Sequence, residues 1–241
     1  MGLNGRCRRS PERGFAANIV FILSRLAVQV RYNGVDDAPR TKEMPMDLPR
    51  LEIHDEFIEI PRLFRTFEGQ PFEQCLICEK KLGGEGLLDA GEQYVIERSF
   101  VGEEPIYEFA ICLTCIGGMQ CELSAESRMR MEAHFEERVD LVERRRSLLD
   151  QSREAFDPWI DTCLLTGKKR QEARAYTVYA HCWGRRLLFS YLPYMITDAG
   201  IEGLERLLSK QTRETLDDFV GQNLGMPPEF QDLPRSPALF F

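Results

Sequence analysis

Two Cys-x-x-Cys pairs, Cys75-Leu76-Ile77-Cys78 and Cys112-Leu113-Thr114-Cys115, hold the residues of this chain best suited to chemistry. A two-residue gap lets both thiolates of a pair converge on one metal from a single tight turn, and tetrahedral zinc takes four such soft donors. Two other readings compete. Disulfide bonding is disfavoured, because eight cysteines in 241 residues are few for a disulfide framework and pair in Cys-x-x-Cys units, and metal binding in a reducing compartment fits better. Thiol–disulfide catalysis requires a thioredoxin-like strand and helix around a reactive pair. Here thirty-three residues with two strand-like runs separate the pairs.

Catalysis at the metal is also disfavoured. A catalytic zinc keeps one coordination position for water, and four thiolates fill the shell. The chain has no Gly-rich phosphate loop, no Gly-x-Ser-x-Gly and no His-Glu-x-x-His, and its three histidines are His54, His134 and His181. A non-enzyme is expected. Cys121, Cys163, Cys182 and His181 remain as further donors, the last three forming at most an incomplete second site.

The elements that must position the four cysteines follow from the residues around them. Gly83-Gly84 after the first pair gives the backbone freedom of a metal-wrapping turn. Gln93 to Phe100 and Ile106 to Cys112 are β-branched and aromatic runs on either side of Val101-Gly-Glu-Glu-Pro105, a β-hairpin signal. After the second pair come Gly117-Gly118 and then Ser124, which opens a helical pattern over about 124 to 153. Its apolar face is predicted at Met131, Phe135, Val139, Val142 and Leu149.

A cysteine turn, a hairpin and a second pair leading into a helix resemble the treble-clef zinc fingers and, more loosely, the zinc ribbons. The resemblance covers residues 75 to about 135 and rests on Cys75, Cys78, Cys112 and Cys115. It implies a structural zinc ion and leaves the task open, since such modules bind nucleic acids, bind proteins or support enzymes. The pattern places the helix start several residues beyond Cys115, later than in treble clefs, with Cys121 a fifth thiol able to substitute for a neighbour.

The second half repeats this order. An offset of 82 sets Tyr94 on Tyr176, Gly102 on Gly184, Tyr107 on Phe189, Phe109 on Tyr191, Cys112 on Tyr194 and Cys115 on Thr197. Upstream, Cys75-Leu-Ile-Cys78-Glu-Lys-Lys matches Cys163-Leu-Leu-Thr166-Gly-Lys-Lys, and downstream Leu123-Ser124 through Ser127-Arg128 matches Leu208-Ser209 through Thr212-Arg213 at an offset of 85. A half with Thr166, Tyr194 and Thr197 at ligand positions cannot hold zinc, so packing of Tyr176, Tyr179, Trp183, Phe189, Tyr191 and Tyr194 is expected to replace it.

The expected fold is therefore α+β: a zinc-stapled β-hairpin held by four cysteines, with a long helix, then a degenerate metal-free hairpin-plus-helix repeat. The expected divisions are an N-terminal extension at 1–50, the zinc module at 51–153, the repeat at 154–224 and a Pro-rich tail at 225–241. Residues 1–45 carry 8 basic and 4 acidic residues, net +4, which leaves −12 for residues 46–241 against a whole-chain charge of −8. That composition shift suggests either a disordered extension or a translation start at Met44 or Met46.

The Arg-rich start and the apolar run Phe15 to Ser24 are broken by Arg25 and are too short to span a bilayer. His54 beside Asp55 and Glu56 reads as a surface residue. A cytoplasmic protein with a protein partner and no membrane association is expected. Nucleic-acid binding through Lys80, Lys81 and Arg144 to Arg146 is the rival, and the acidic balance counts against it.

Overall fold

A computed structural model describes residues 57–84, 91–151 and 155–219. The N-terminal extension, His54, the end of the expected long helix and the Pro-rich tail lie outside the described residues. The fold is mixed α/β, built on one antiparallel six-stranded sheet and six α-helices among the described residues.

In chain order the elements are β1 (Phe57–Glu59), β2 (Gln93–Val101), β3 (Glu104–Cys112), α1 (Leu113–Glu122), α2 (Ala125–Arg138), α3 (Leu141–Gln151) and α4 (Asp157–Ile160). Then follow β4 (Ala175–Trp183), β5 (Arg186–Leu188), β6 (Tyr194–Thr197), α5 (Asp198–Glu205) and α6 (Lys210–Phe219). The sheet order is β1-β5-β4-β2-β3, with β6 also paired to β4. β5 and β6 share one edge of β4: β6 takes Tyr176 to Tyr179, and β5 takes His181 to Trp183.

The two hairpin turns use the same device. Gly102 closes β2 onto β3 and Gly184 closes β4 onto β5, each with a positive φ, 61° and 55°, that a side chain disfavours. Between them, β2 and β4 pair over nine residues from Gln93↔Trp183 to Val101↔Ala175, with Glu97 opposite Tyr179 at the centre. This ladder makes one sheet of the two hairpins. Tyr94, Tyr179, Tyr194, Trp159 and Phe189 are buried to within 1% exposure and belong to one continuous core cluster. Of the aromatics expected to hold the second half, Trp183 and Tyr191 are only partly buried.

Three helical expectations are corrected. A helix begins at Leu113, directly after β3, and carries Cys115 in its first turn. Gly117 and Gly118 lie inside it, where each costs about 1 kcal/mol relative to alanine. Burial of Ile116 and Met119 on its other positions offsets that cost. The long helix is two helices, α2 and α3. Val139 adopts an extended backbone, φ −139° and ψ 116°, and the Glu143 amide donates to Asp140 Oδ1 at 2.9 Å, which caps a fresh start. In consequence the apolar face does not run through: Met131 and Phe135 are buried, Val142 is 54% exposed, and Leu148 joins Leu149 against the core.

Ser124 is the N-cap of α2, as its position predicts, accepting from the Ser127 amide at 3.1 Å. Ser209 does the same for Thr212 at the start of α6, at 3.2 Å. The two caps meet. The Ser124 amide donates to Thr212 Oγ1 and the Ser209 amide donates to Ser127 Oγ, while the hydroxyls of Ser124 and Ser209 lie 3.0 Å apart.

Candidate metal centre

Residues 74–81 form the turn that presents the first pair. Gln74 and Lys81 bridge its ends, the Cys75 amide donates to the Lys80 carbonyl at 2.9 Å, and the Glu79 amide donates to the Cys75 carbonyl at 2.9 Å. Glu79 takes a left-handed φ of 58° to close it. The turn docks on the sheet through the Leu76 amide, which donates to the Ala110 carbonyl at the end of β3. That contact brings Cys75 under Cys112, the last residue of β3. The Cys112 amide donates to Cys75 Sγ at 3.4 Å.

Cys112 stands at the N-cap of α1 and Cys115 in its first turn, where the helix dipole favours thiolates. All four Sγ atoms lie within 4.8 Å of one another, and Cys78 Sγ is 3.8 Å from Cys112 Sγ. Four sulfurs at about 2.3 Å from a tetrahedral zinc would be about 3.8 Å apart. The residues present therefore fit a four-coordinate soft metal ion, and they are a zinc-finger-like cluster in type and in spacing. Cys75 and Cys112 are buried, Cys115 is partly so and Cys78 is exposed.

The sulfurs titrate as a linked set. Hydrogen bonds from the Cys112 and Cys115 thiols hold Cys75 well below the ordinary thiol range. Serving as donor to Cys112 and Cys75 pushes Cys115 up. Lys80, ion-paired with Glu92, is held protonated first by that carboxylate and further by the nearby Cys112 and Cys78.

Among the described residues no other group of three or more metal-ligating side chains converges. Cys121 lies two turns along α1, its Sγ against the Gly117 carbonyl at 3.6 Å. His181 and Cys182 are consecutive on β4 and so face opposite sides of the sheet. His181 is buried between Ser190 Oγ and Gln93 Oε1, both at 3.2 Å, and burial lowers its pKa to about 4.

Cys163 sits in a turn of its own, and the bonds there match those around Cys75. Thr162 and Lys169 bridge the ends, the Cys163 amide donates to the Lys168 carbonyl at 2.8 Å, and the Gly167 amide donates to the Cys163 carbonyl at 3.0 Å. The Leu164 amide donates to the Met195 carbonyl at 2.8 Å, and the Thr197 amide to Cys163 Sγ at 3.3 Å. Burial alone would raise the Cys163 thiol, but donors from Thr166 and Thr197 outweigh it and lower its pKa.

The sequence offset of 82 does not describe these bonds: Met195 meets the Cys163 turn as Ala110 meets the Cys75 turn, and Thr197 meets Cys163 Sγ as Cys112 meets Cys75 Sγ, each at a spacing of 85. Tyr194 corresponds to Phe109: each pairs with the central residue of its neighbour, Tyr179 or Glu97. The chain leaves the sheet between Leu188 and Tyr194, and that excursion absorbs three residues absent from the first hairpin. The offset of 85 already visible at Ser124 and Ser209 was the sequence signal for this spacing.

Of the basic residues of the rival reading, Arg144, Arg145 and Arg146 each have a partner within the fold. The Arg144 guanidinium donates to the Trp159 carbonyl at 2.6 Å, the Pro193 carbonyl at 3.2 Å and the Tyr191 carbonyl at 3.4 Å, and stacks 5.2 Å from the Trp159 ring. Arg145 Nε donates to the Phe189 carbonyl, and Arg146 pairs with Glu143.

No family model, curated protein or solved structure matches the chain. Among the described residues no helix is long and apolar enough to cross a membrane.

Proposed function

We propose that Cys75, Cys78, Cys112 and Cys115 hold one structural zinc ion in a treble-clef-like module, and that the protein acts through interaction with another protein rather than through catalysis. The observation that carries this is the convergence of all four Sγ atoms within 4.8 Å, two from a turn and two from the junction of β3 and α1. Four sulfurs complete a tetrahedral shell and leave no position for a substrate or an activated water. The cluster draws both Cys-x-x-Cys pairs to one point, which favours metal over two separate redox couples.

The second half is, in this reading, a degenerate copy of the first. The matched bonds around Cys75 and Cys163 and the reciprocal caps of α2 and α6 support it, each contact from one half being answered by its counterpart from the other. Zinc at one end and hydroxyls at the other then give a rigid two-lobed sheet, a scaffold rather than a reaction vessel. The pairing of cysteines in Cys-x-x-Cys units fits a reducing cytoplasm.

Affinity capture of the full chain from its native cells, washed at rising salt, tests the role. Protein partners retained at high salt and lost with Cys112→Ser are expected. Recovery of nucleic acid that elutes steeply with salt would instead establish the rival reading.

A further inference from the structure

The turn between β4 and β5 seats directly on the segment that leads out of the Cys75 turn. The Gly184 amide donates to the Glu92 carbonyl at 3.1 Å. Gly91, with φ 52°, lets the two backbones touch, since a Cβ there would stand 2.7 Å from Gly184 Cα. Trp183 Nε1 donates to the Gly91 carbonyl at 3.3 Å and fixes the indole at the same contact. Arg185 Nε lies 3.8 Å from where a Cβ on Gly83 would stand, so its guanidinium lies along the segment that carries Lys80 and Lys81.

Cations from both halves gather at this corner. Lys81, Arg185 and Arg186 are exposed, and none of them has an ion-pair partner among the described residues. The acids beside them are held by other cations: Glu92 pairs with Lys80, and Glu59, opposite Arg186 in the register, pairs with Arg65 at 2.6 Å. Glu59, Arg186, Trp183 and Gln93 form one cross-strand row, so Arg186 stands on the same face of the sheet as Trp183. Phe57 shares that face, its ring 6.1 Å from the Trp183 ring, and both side chains are half-buried.

We propose that this corner is the docking surface for the protein partner, and that the partner presents an acidic segment with an apolar side chain among its carboxylates. The inference rests on reading the protein as an interaction module and names the chemistry of what it binds. Arginine matches a carboxylate with two parallel N–H donors. An apolar side chain packed on Trp183 and Phe57 adds contact that salt does not screen. A single-stranded nucleic acid would find the same cations and rings, but the net charge of −12 on residues 46–241 repels a long polyanion, whereas a short acidic segment meets only the local field. Lys81 closes the Cys75 turn, so the corner needs that turn as well as the β4–β5 hairpin.

Fluorescence anisotropy of a fluorescein-labelled peptide of glutamate and aspartate around one central leucine, titrated with the full zinc-loaded chain, tests this. Binding is expected. Arg185→Glu/Arg186→Glu should weaken it by about tenfold or more, the scale of lost charge-assisted pairs, and Arg185→Lys/Arg186→Lys should weaken it less. Arg130→Glu, at a cation already paired with Glu126 on α2, should leave it unchanged. The two tryptophans are Trp183 and the buried Trp159, so the unlabelled peptide should shift the tryptophan emission of the wild type and not that of Trp183→Phe.

No binding of the peptide, equal binding by the charge-reversed variant, or binding that leaves the wild-type emission unchanged would overturn the surface. Tighter binding of single-stranded oligothymidylate than of the peptide would overturn it in favour of nucleic acid. Protein partners captured equally by the wild type and by Arg185→Glu/Arg186→Glu would overturn this surface alone and leave the interaction role standing, whereas capture of no protein by the wild type would overturn that role as well.

Discussion

Glu97 occupies the middle of the sheet, 9% exposed, with its Oε2 free of any hydrogen-bond partner among the described residues and Tyr179 directly opposite on β4. Burial pushes its pKa up to about 8. The folded state therefore holds the proton more tightly than the unfolded chain. The stability this contributes is complete below the ordinary carboxylate range and is lost as pH rises to about 8, at up to about 1.4 kcal/mol per pH unit. Glu97→Gln should flatten the fall in urea midpoint between pH 5 and 8 and leave the variant the more stable at neutral pH; an unchanged slope would place the titration elsewhere. The cysteines sort at the same scale. Cys75→Ser or Cys112→Ser should abolish metal binding, while Cys121→Ser should retain one ion per chain by mass spectrometry under native conditions. The four cysteines that converge were legible from spacing alone. The place of Thr197 beside Cys163 was not, because a backbone amide sets it and leaves no residue type to find.

Among the elements, the hairpin β2–β3 and the cap at Ser124 could be read directly, since β-branched alternation, a turn glycine and a capping hydroxyl are local signals. The start of α1 could not. Gly117 and Gly118 argue against a helix on propensity, and the burial of Ile116 and Met119 that overrides it is a tertiary fact. The break between α2 and α3 was hidden for a similar reason, as Val139 preserves the apolar spacing while its backbone turns away from helix. Arg144 on α3 shows what the break achieves, since it directs a guanidinium onto the carbonyls of Trp159, Pro193 and Tyr191. Arg144→Met should destabilise the fold by about 2–4 kcal/mol because buried carbonyls lose charged donors. Arg144→Lys should recover only part, since an ammonium cannot reproduce the planar fork. Equal stability of all three proteins in a denaturant titration would refute that role. The joined caps make a second test at this scale: Ser124→Ala and Ser209→Ala, each costing about 1 kcal/mol, should be non-additive in a double-mutant cycle because their hydroxyls touch.

For the whole molecule, the nine-residue ladder between β2 and β4 matters most, because it places both turns, Cys75 and Cys163, on one sheet and one core. The pairing of the two hairpins edge to edge was not legible in the sequence, since no local pattern specifies which strand meets which. Given that ladder, loss of metal should be felt beyond the first half. Structural zinc contributes about 10–16 kcal/mol of apparent binding free energy in small fingers. Chelation should therefore lower the thermal midpoint of the entire chain in one cooperative transition; a first half that melts alone while β4 to β6 stay folded would show the halves to be independent. The most direct test of the central claim is the metal content of the purified, unreduced protein together with the reactivity of its thiols. One zinc ion per chain is predicted, with Cys75, Cys78, Cys112 and Cys115 protected from alkylation until a chelator is added. A metal-free protein whose four thiols react at once, or are joined as disulfides, would contradict it.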